Sequence, residues 1–138
     1  MTNQIARRRI HQKLSTTLKW LAAAATLVLA VVILLLTLAP PRPEDSGGIN
    51  DKILHFAAFA TLVLPCAIFL SRYLVWVVPL ALAFGGAIEF LQPRFGRDAS
   101  WADFLADTLG VTVGLVVGLA MRFLIKRNLD TQKEGDIA

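Results

Sequence analysis

The sequence predicts an all-α membrane protein: four antiparallel transmembrane helices with both termini in the cytoplasm. Three observations predict it. Of 138 residues, 56% are hydrophobic and 17% charged, too little polar surface to keep a soluble domain of this size in solution. The apolar residues fall into four blocks of 18 or 19 residues, at 20–38, 53–70, 74–91 and 104–121. A helix of that length spans roughly 27 Å, close to the hydrocarbon thickness of a bilayer. The third observation is where the charge sits. Of the 14 cations, Arg7, Arg8, Arg9, Lys13, Lys19, Arg72, Arg122, Lys126, Arg127 and Lys133 flank one side of the spans. Only Arg42, Lys52, Arg94 and Arg97 flank the other. That bias places both termini on the cytoplasmic side of a cytoplasmic (inner) membrane.

Three regions follow: a basic cytoplasmic arm at 1–19, a four-helix transmembrane domain at 20–125 and a polar cytoplasmic tail at 126–138. The arm is expected to be mobile or interfacial. A basic start followed by an apolar run resembles a secretory signal. Its apolar run is long for one, and Ala39-Pro40-Pro41 is a poor cleavage site, so the first span is expected to stay as an anchor. The first outer connection is rich in proline and contains Gly47-Gly48, so it is expected to be irregular. Asn50 or Asp51 is placed to cap the second helix. Ser71-Arg72-Tyr73 is too short for anything but a tight turn between the second and third helices. Pro65 is placed to kink the second helix, and Pro79 lies nearer the start of the third. Ser100 is expected to cap the fourth helix, with Asp103 three residues on as in a capping box. The tail after Lys126 is expected to fray. Trp20, Tyr73, Trp76 and Trp101 fall where interfaces should be.

The net charge of +4 fits anionic headgroups better than nucleic acid, because no aromatic-basic motif accompanies it. Cys66 is the only cysteine and lies mid-span, so it makes no internal disulfide or cysteine-based metal site. It is expected to be inert, His11 to be solvated, and Phe56, Phe59, Phe69 and Phe84 to pack or face lipid.

The polar residues near the membrane are not scattered. Asp51 and His55 are four apart at the outer start of the second helix. Glu89 and Gln92 are three apart at the outer end of the third. Asp103 and Asp107 are four apart at the outer start of the fourth. Each pair shares a helix face, and antiparallel topology brings all three to one leaflet. Lys52 adjoins the first pair, and Arg94, Arg97, Asp98 and Ser100 lie in the connection above. An aspartate at mid-membrane costs roughly 2.5–3.5 kcal/mol on insertion scales, so such groups seek partners in the bundle interior. Arg97 and His55 are the expected ones. Gly110, Gly114 and Gly118 form a stripe that Asp103 and Asp107 extend outward, and Gly85 precedes Glu89 by one turn. Such stripes let helices pack closely in lipid. They place faces of the third and fourth helices in the bundle interior and leave oligomerisation open.

The run Asp51-Lys52-Ile53-Leu54-His55-Phe56, then Gly85 through Glu89 to Gln92, then Arg97, Ser100, Asp103 and Gly110, resembles the VanZ-like family of small bacterial membrane proteins. The resemblance covers about residues 50–118. It departs at Asp107, where the family often has asparagine. The resemblance implies a place in the bacterial cell envelope and, through the name-giving member, a link to resistance to the glycopeptide teicoplanin. No biochemical activity is securely assigned to the family, so it implies a site and not a reaction.

Four readings of the polar cluster stay open. It is interhelical glue, with hydrogen bonds worth about 0.6–2 kcal/mol each. It is an extracytoplasmic binding site, where Asp51, Lys52, His55, Glu89, Gln92, Arg97, Ser100, Asp103 and Asp107 hold a lipid-linked cell-wall precursor or another anionic or lipid ligand. In that reading Arg94, Arg97 and the start of the fourth helix meet a phosphate or carboxylate. It is an enzyme, with His55 and Glu89 or Asp103 as base and acid, or with Mg²⁺ or Zn²⁺; no nucleophile signature accompanies these residues. Or it is a proton- or ion-coupled path, which four helices serve poorly. The sequence itself calls for no cofactor, metal or catalytic residue. Its expected partners are membrane lipids and such a precursor, not nucleic acid.

Overall fold

The computed structural model describes residues 2–39 and 49–135, with the backbone alone at residues 2–14, 130 and 133–135. The expectation for the His11 side chain falls where the backbone alone is described, and the one for the proline-rich first connection lies outside the described residues. Four helices follow in order: α1 (Thr2–Thr37), α2 (Ile49–Phe69), α3 (Leu74–Leu91) and α4 (Trp101–Gly135). Each, with α3 taken together with the 3-10 turns that flank it, contains a helical segment of 21 to 29 residues that is long and apolar enough to cross a membrane. Large apolar side chains cover the outside, among them Trp20, Leu35, Trp76, Phe90 and Val116. In water this surface would aggregate; in lipid it is solvated.

Two helix ends differ from expectation. α1 does not begin at Trp20 but runs from Thr2. Nothing in the basic stretch breaks a helix, and Ala6, Arg7, Arg8 and Lys13 favour one. The tail expected to fray after Lys126 is helical to Gly135. Leu129 and Gln132 sustain it, and no proline interrupts it. Both helices are therefore about 50 Å long at 1.5 Å per residue, and their polar turns project well past the hydrocarbon.

The connections are tight where the sequence is short. Ser71–Tyr73 forms a single 3-10 turn, closed by Tyr73 N–H donating to Leu70 O at 2.8 Å. At the other end α3 continues into a 3-10 turn, Gln92–Phe95, which stops at Gly96. Gly96 has φ of 75°, a left-handed conformation that glycine adopts without a Cβ clash. Arg97 N–H then donates to Gln92 O at 3.2 Å.

α2 is the hub. It packs against each of the other three helices, most extensively against α4. Phe59, Val63 and Leu62 of α2 are buried with Ile33 of α1, Ala81 and Ile88 of α3, and Val111 of α4. The Phe59 and Phe84 rings lie 5.9 Å apart. The Thr26 hydroxyl lies 3.3 Å from Cys66 Sγ, tying α1 to α2.

The glycine stripe of α4 is seated on α2. A Cβ at Gly110 would overlap the Phe56 carbonyl oxygen, one at Gly114 the Ala60 oxygen, and one at Gly118 the Ala67 Cβ. Residue numbers rise together along both helices, so this intimate pair runs parallel. Their N-termini therefore share one end of the bundle, and their macrodipoles lie side by side with the positive ends together. Acids in both first turns, Asp51 and Asp103, offset that repulsion. At the opposite end Arg122 Nη1 donates to Ile68 O at 2.7 Å and caps the closing turn of α2 with positive charge.

Candidate functional site

All nine polar residues singled out in the sequence meet where the N-termini of α2 and α4 adjoin the C-terminus of α3. α2 contributes Asp51, Lys52 and His55 from its first two turns. Asn50 and Asp51 lie inside the described helix rather than ahead of it, because α2 is already helical at Ile49.

The contacts are specific. His55 Nδ1 and Asp107 Oδ1 share a hydrogen bond of 2.9 Å, and both side chains are buried. Lys52 Nζ donates to Asp103 Oδ1 at 3.1 Å, from a half-buried ammonium to a buried carboxylate. Arg97 Nη2 donates to Asp51 Oδ1 at 3.4 Å. Of the two expected partners, His55 takes Asp107, whereas Arg97 takes Asp51, and Glu89 has no cation among the described residues. Glu89 instead accepts the Ser100 backbone N–H at 2.6 Å through Oε2. The capping box is thereby altered. The acid that receives the N-cap N–H comes from α3, while Asp103, at the expected position, is held by Lys52. Asp103 and Phe104 N–H both donate to the Ser100 carbonyl, at 3.0 and 3.2 Å, which starts α4.

Arg94 does not join the cluster. Its guanidinium stacks 5.0 Å above the Phe90 ring, on the outside of α3. Of the two loop arginines once available for an anion, one is thus turned away and the other is held by Asp51. The N-cap N–H of α4 is also occupied, by Glu89.

Most of the cluster is dry. Asp107 is fully buried, and Gln92, His55, Asp103 and Glu89 are 1%, 3%, 4% and 9% exposed. Gln92 Nε2 donates to Thr37 O at 3.4 Å and so reaches the end of α1. Three buried oxygens have no hydrogen-bond donor among the described residues: Glu89 Oε1, Gln92 Oε1 and Asp107 Oδ2. Every one is an acceptor. Gly85 makes room for the last of them, since a Cβ there would lie 2.8 Å from Asp107 Oδ2 and 3.3 Å from the Phe59 ring.

Two grooves reach the cluster. One, of 450 Å³, lies between α3 and the start of α4; Gly86, Phe90, Trp101 and Phe104 form its walls, and Glu89 and Ser100 its polar end. The other, of 300 Å³, lies between α1 and α2 and is lined by Asp51, His55 and Arg97 beside Ile33, Leu36 and Leu54. A third groove, at the opposite end, has cations only, Lys19 and Arg72, over an apolar floor. Within the spans, the buried acids Glu89, Asp103 and Asp107 all lie at one end of the bundle.

Sequence reasoning missed the groove walls and the role of the Thr37 carbonyl. Trp101 and Phe104 carried a signal, an aromatic pair beside the N-cap serine, but Trp101 read as an interface anchor and Phe104 only as the start of the fourth apolar block. The Thr37 carbonyl carries none, because any residue presents one. The cluster can accept hydrogen bonds and bind positive charge, and it offers amphiphiles a polar end with apolar walls. No protein-family model, curated protein or solved structure matches the chain.

Proposed function

We propose that this multi-pass membrane protein is a VanZ-like protein of the bacterial cell envelope that holds a lipid-linked ligand at the extracytoplasmic face of the cytoplasmic membrane. The observation that carries the reading is the groove between α3 and α4. Its walls are aromatic and open toward the lipid, and its far end is a carboxylate with one oxygen lacking a donor. An acyl or prenyl chain suits the walls. An amine, amide N–H or sugar hydroxyl on the headgroup suits Glu89 Oε1. Lipid-linked cell-wall precursors and amine-bearing phospholipids both carry such donors next to a chain. The two nearby cations already hold carboxylates, so donors on the ligand define recognition more than a bare anion does. The positive-inside bias supports the orientation, with the acidic end outward and the Lys19–Arg72 end against anionic headgroups.

Mass spectrometry of the protein purified in a mild detergent tests the reading. Wild type retains one lipid class above its abundance in the membrane, and Glu89→Ala or a groove-filling Gly86→Leu loses it. A lipid profile identical to that of an unrelated membrane protein prepared the same way refutes it. A strain lacking the protein is expected to shift in susceptibility to cell-wall-directed drugs, glycopeptides included.

A second reading has its own support. The pairs His55–Asp107 and Lys52–Asp103 join α2 to α4, as purely structural glue would. That reading leaves unexplained why Glu89 and Asp107 each retain a buried oxygen with no donor.

A further inference from the structure

We propose that His55, Glu89 and Asp107 bind a divalent transition-metal ion, zinc or manganese, where α2, α3 and α4 meet. The inference rests on the reading of this cluster as a ligand site and names a second occupant for it.

The geometry comes first. One ligand atom from each of the three residues lies within 4.8 Å of the others. Metal–nitrogen and metal–oxygen bonds of about 2.1 Å set neighbouring ligands about 3.0–3.4 Å apart in octahedral or tetrahedral array. The three side chains therefore close by at most about 1.5–2 Å, which side-chain rotation supplies. The second observation is independent of the clustering. Asp107 Oδ2 and Glu89 Oε1 are buried acceptors without a donor, on side chains that are 0% and 9% exposed. A cation satisfies both. Gly85 lets the Asp107 carboxylate turn toward α3, the helix that brings Glu89.

Charge points the same way. Two buried carboxylates and a neutral imidazole carry −2, which a divalent ion cancels. Lys52 and Arg97 cannot do this, because they hold Asp103 and Asp51. The same pairings set aside the other compact trio, Asp51, His55 and Asp103. Its two acids are neutralised, and it shares the same histidine. One nitrogen with two carboxylates suits zinc or manganese better than calcium, which takes six to eight oxygens.

The test uses the full chain in detergent, stripped with chelator and titrated with zinc or manganese alone, followed by calorimetry and elemental analysis. The expected result is one ion per chain. His55→Gln, Glu89→Gln and Asp107→Asn each weaken binding at least tenfold, and Asp51→Asn does not. Each variant is first shown to be helical and monodisperse. Absence of stoichiometric binding by wild type overturns the proposal, as does binding that none of the three substitutions changes. The lipid measurement fails separately. A bound lipid without an ion overturns the metal proposal alone, while a bound ion without a lipid supports it and removes the lipid reading.

Discussion

Replacing Gly110 with alanine should pry apart the two central helices. The new Cβ would overlap the Phe56 carbonyl oxygen and lie 3.1 Å from both the Phe56 carbonyl carbon and the Ala60 nitrogen. All three are backbone atoms of α2, so no side chain can rotate to make space. Restoring ordinary contact near 3.5 Å moves the helices apart by about 1 Å. A gap of that size forfeits about a quarter to a half of the dispersion attraction across the face. The His55–Asp107 bond lies one turn away, and 2.9 Å lengthened by about 1 Å is no longer a hydrogen bond. Overpacking costs about 1–3 kcal/mol, and the buried hydrogen bond about 1.5–3 kcal/mol more. Their sum, about 2.5–6 kcal/mol, is large beside the stability of a small domain. Gly86→Ala is the internal control: its Cβ meets only Phe104, at an ordinary 3.7 Å. Unfolding in mixed micelles by increasing dodecyl sulfate, followed by helical circular dichroism, measures both. Equal midpoints for Gly110→Ala and Gly86→Ala would refute the reasoning.

Other outcomes follow from the same contacts. Arg122→Ala uncovers the Ile68 carbonyl at the end of α2 and should destabilise the protein by about 1–2 kcal/mol in the same titration, with Arg122→Lys recovering part of it. Lys52→Ala leaves the buried Asp103 carboxylate without its cation and should destabilise the protein by about 1–3 kcal/mol. On the proposed orientation, Asp98→Cys reacts with an impermeant maleimide in intact cells, and Gln132→Cys only after lysis. Cys66 is buried and should stay silent in both.

Much of this was legible in the residues. Four apolar blocks, each with at most one charged or histidine side chain, predict four spans, because four such helices in so short a chain leave no polar face to cover them in water. The convergence of Asp51, His55, Glu89, Gln92, Asp103 and Asp107 followed from i, i+3 and i, i+4 spacing together with alternating direction. The partnering was not legible. Arg97 holds Asp51 and not Glu89 because a left-handed Gly96 re-aims the chain just before it, and spacing does not encode that turn. The glycine stripe announced a close contact but not its recipient. The recipient is α2, whose small Ala60 and Ala67 face Gly114 and Gly118. Alanine is too common in membrane helices for that pattern to stand out. The long helical ends of α1 and α4 were missed because charge reads as exposure, which a helix projecting into water satisfies equally well.

The central claim is that the buried acids are kept for a ligand and not for the fold. The most direct measurement is the unfolding midpoint of the Glu89→Gln/Asp107→Asn double variant against wild type, both stripped of lipid and metal. The amide oxygens still accept from Ser100 and His55, so the helix contacts survive while two buried charges go. Buried carboxylates without full partners oppose folding. The account therefore predicts an unchanged or higher midpoint, together with loss of the bound ligand. A midpoint lower by several kcal/mol would contradict it and make the cluster structural glue.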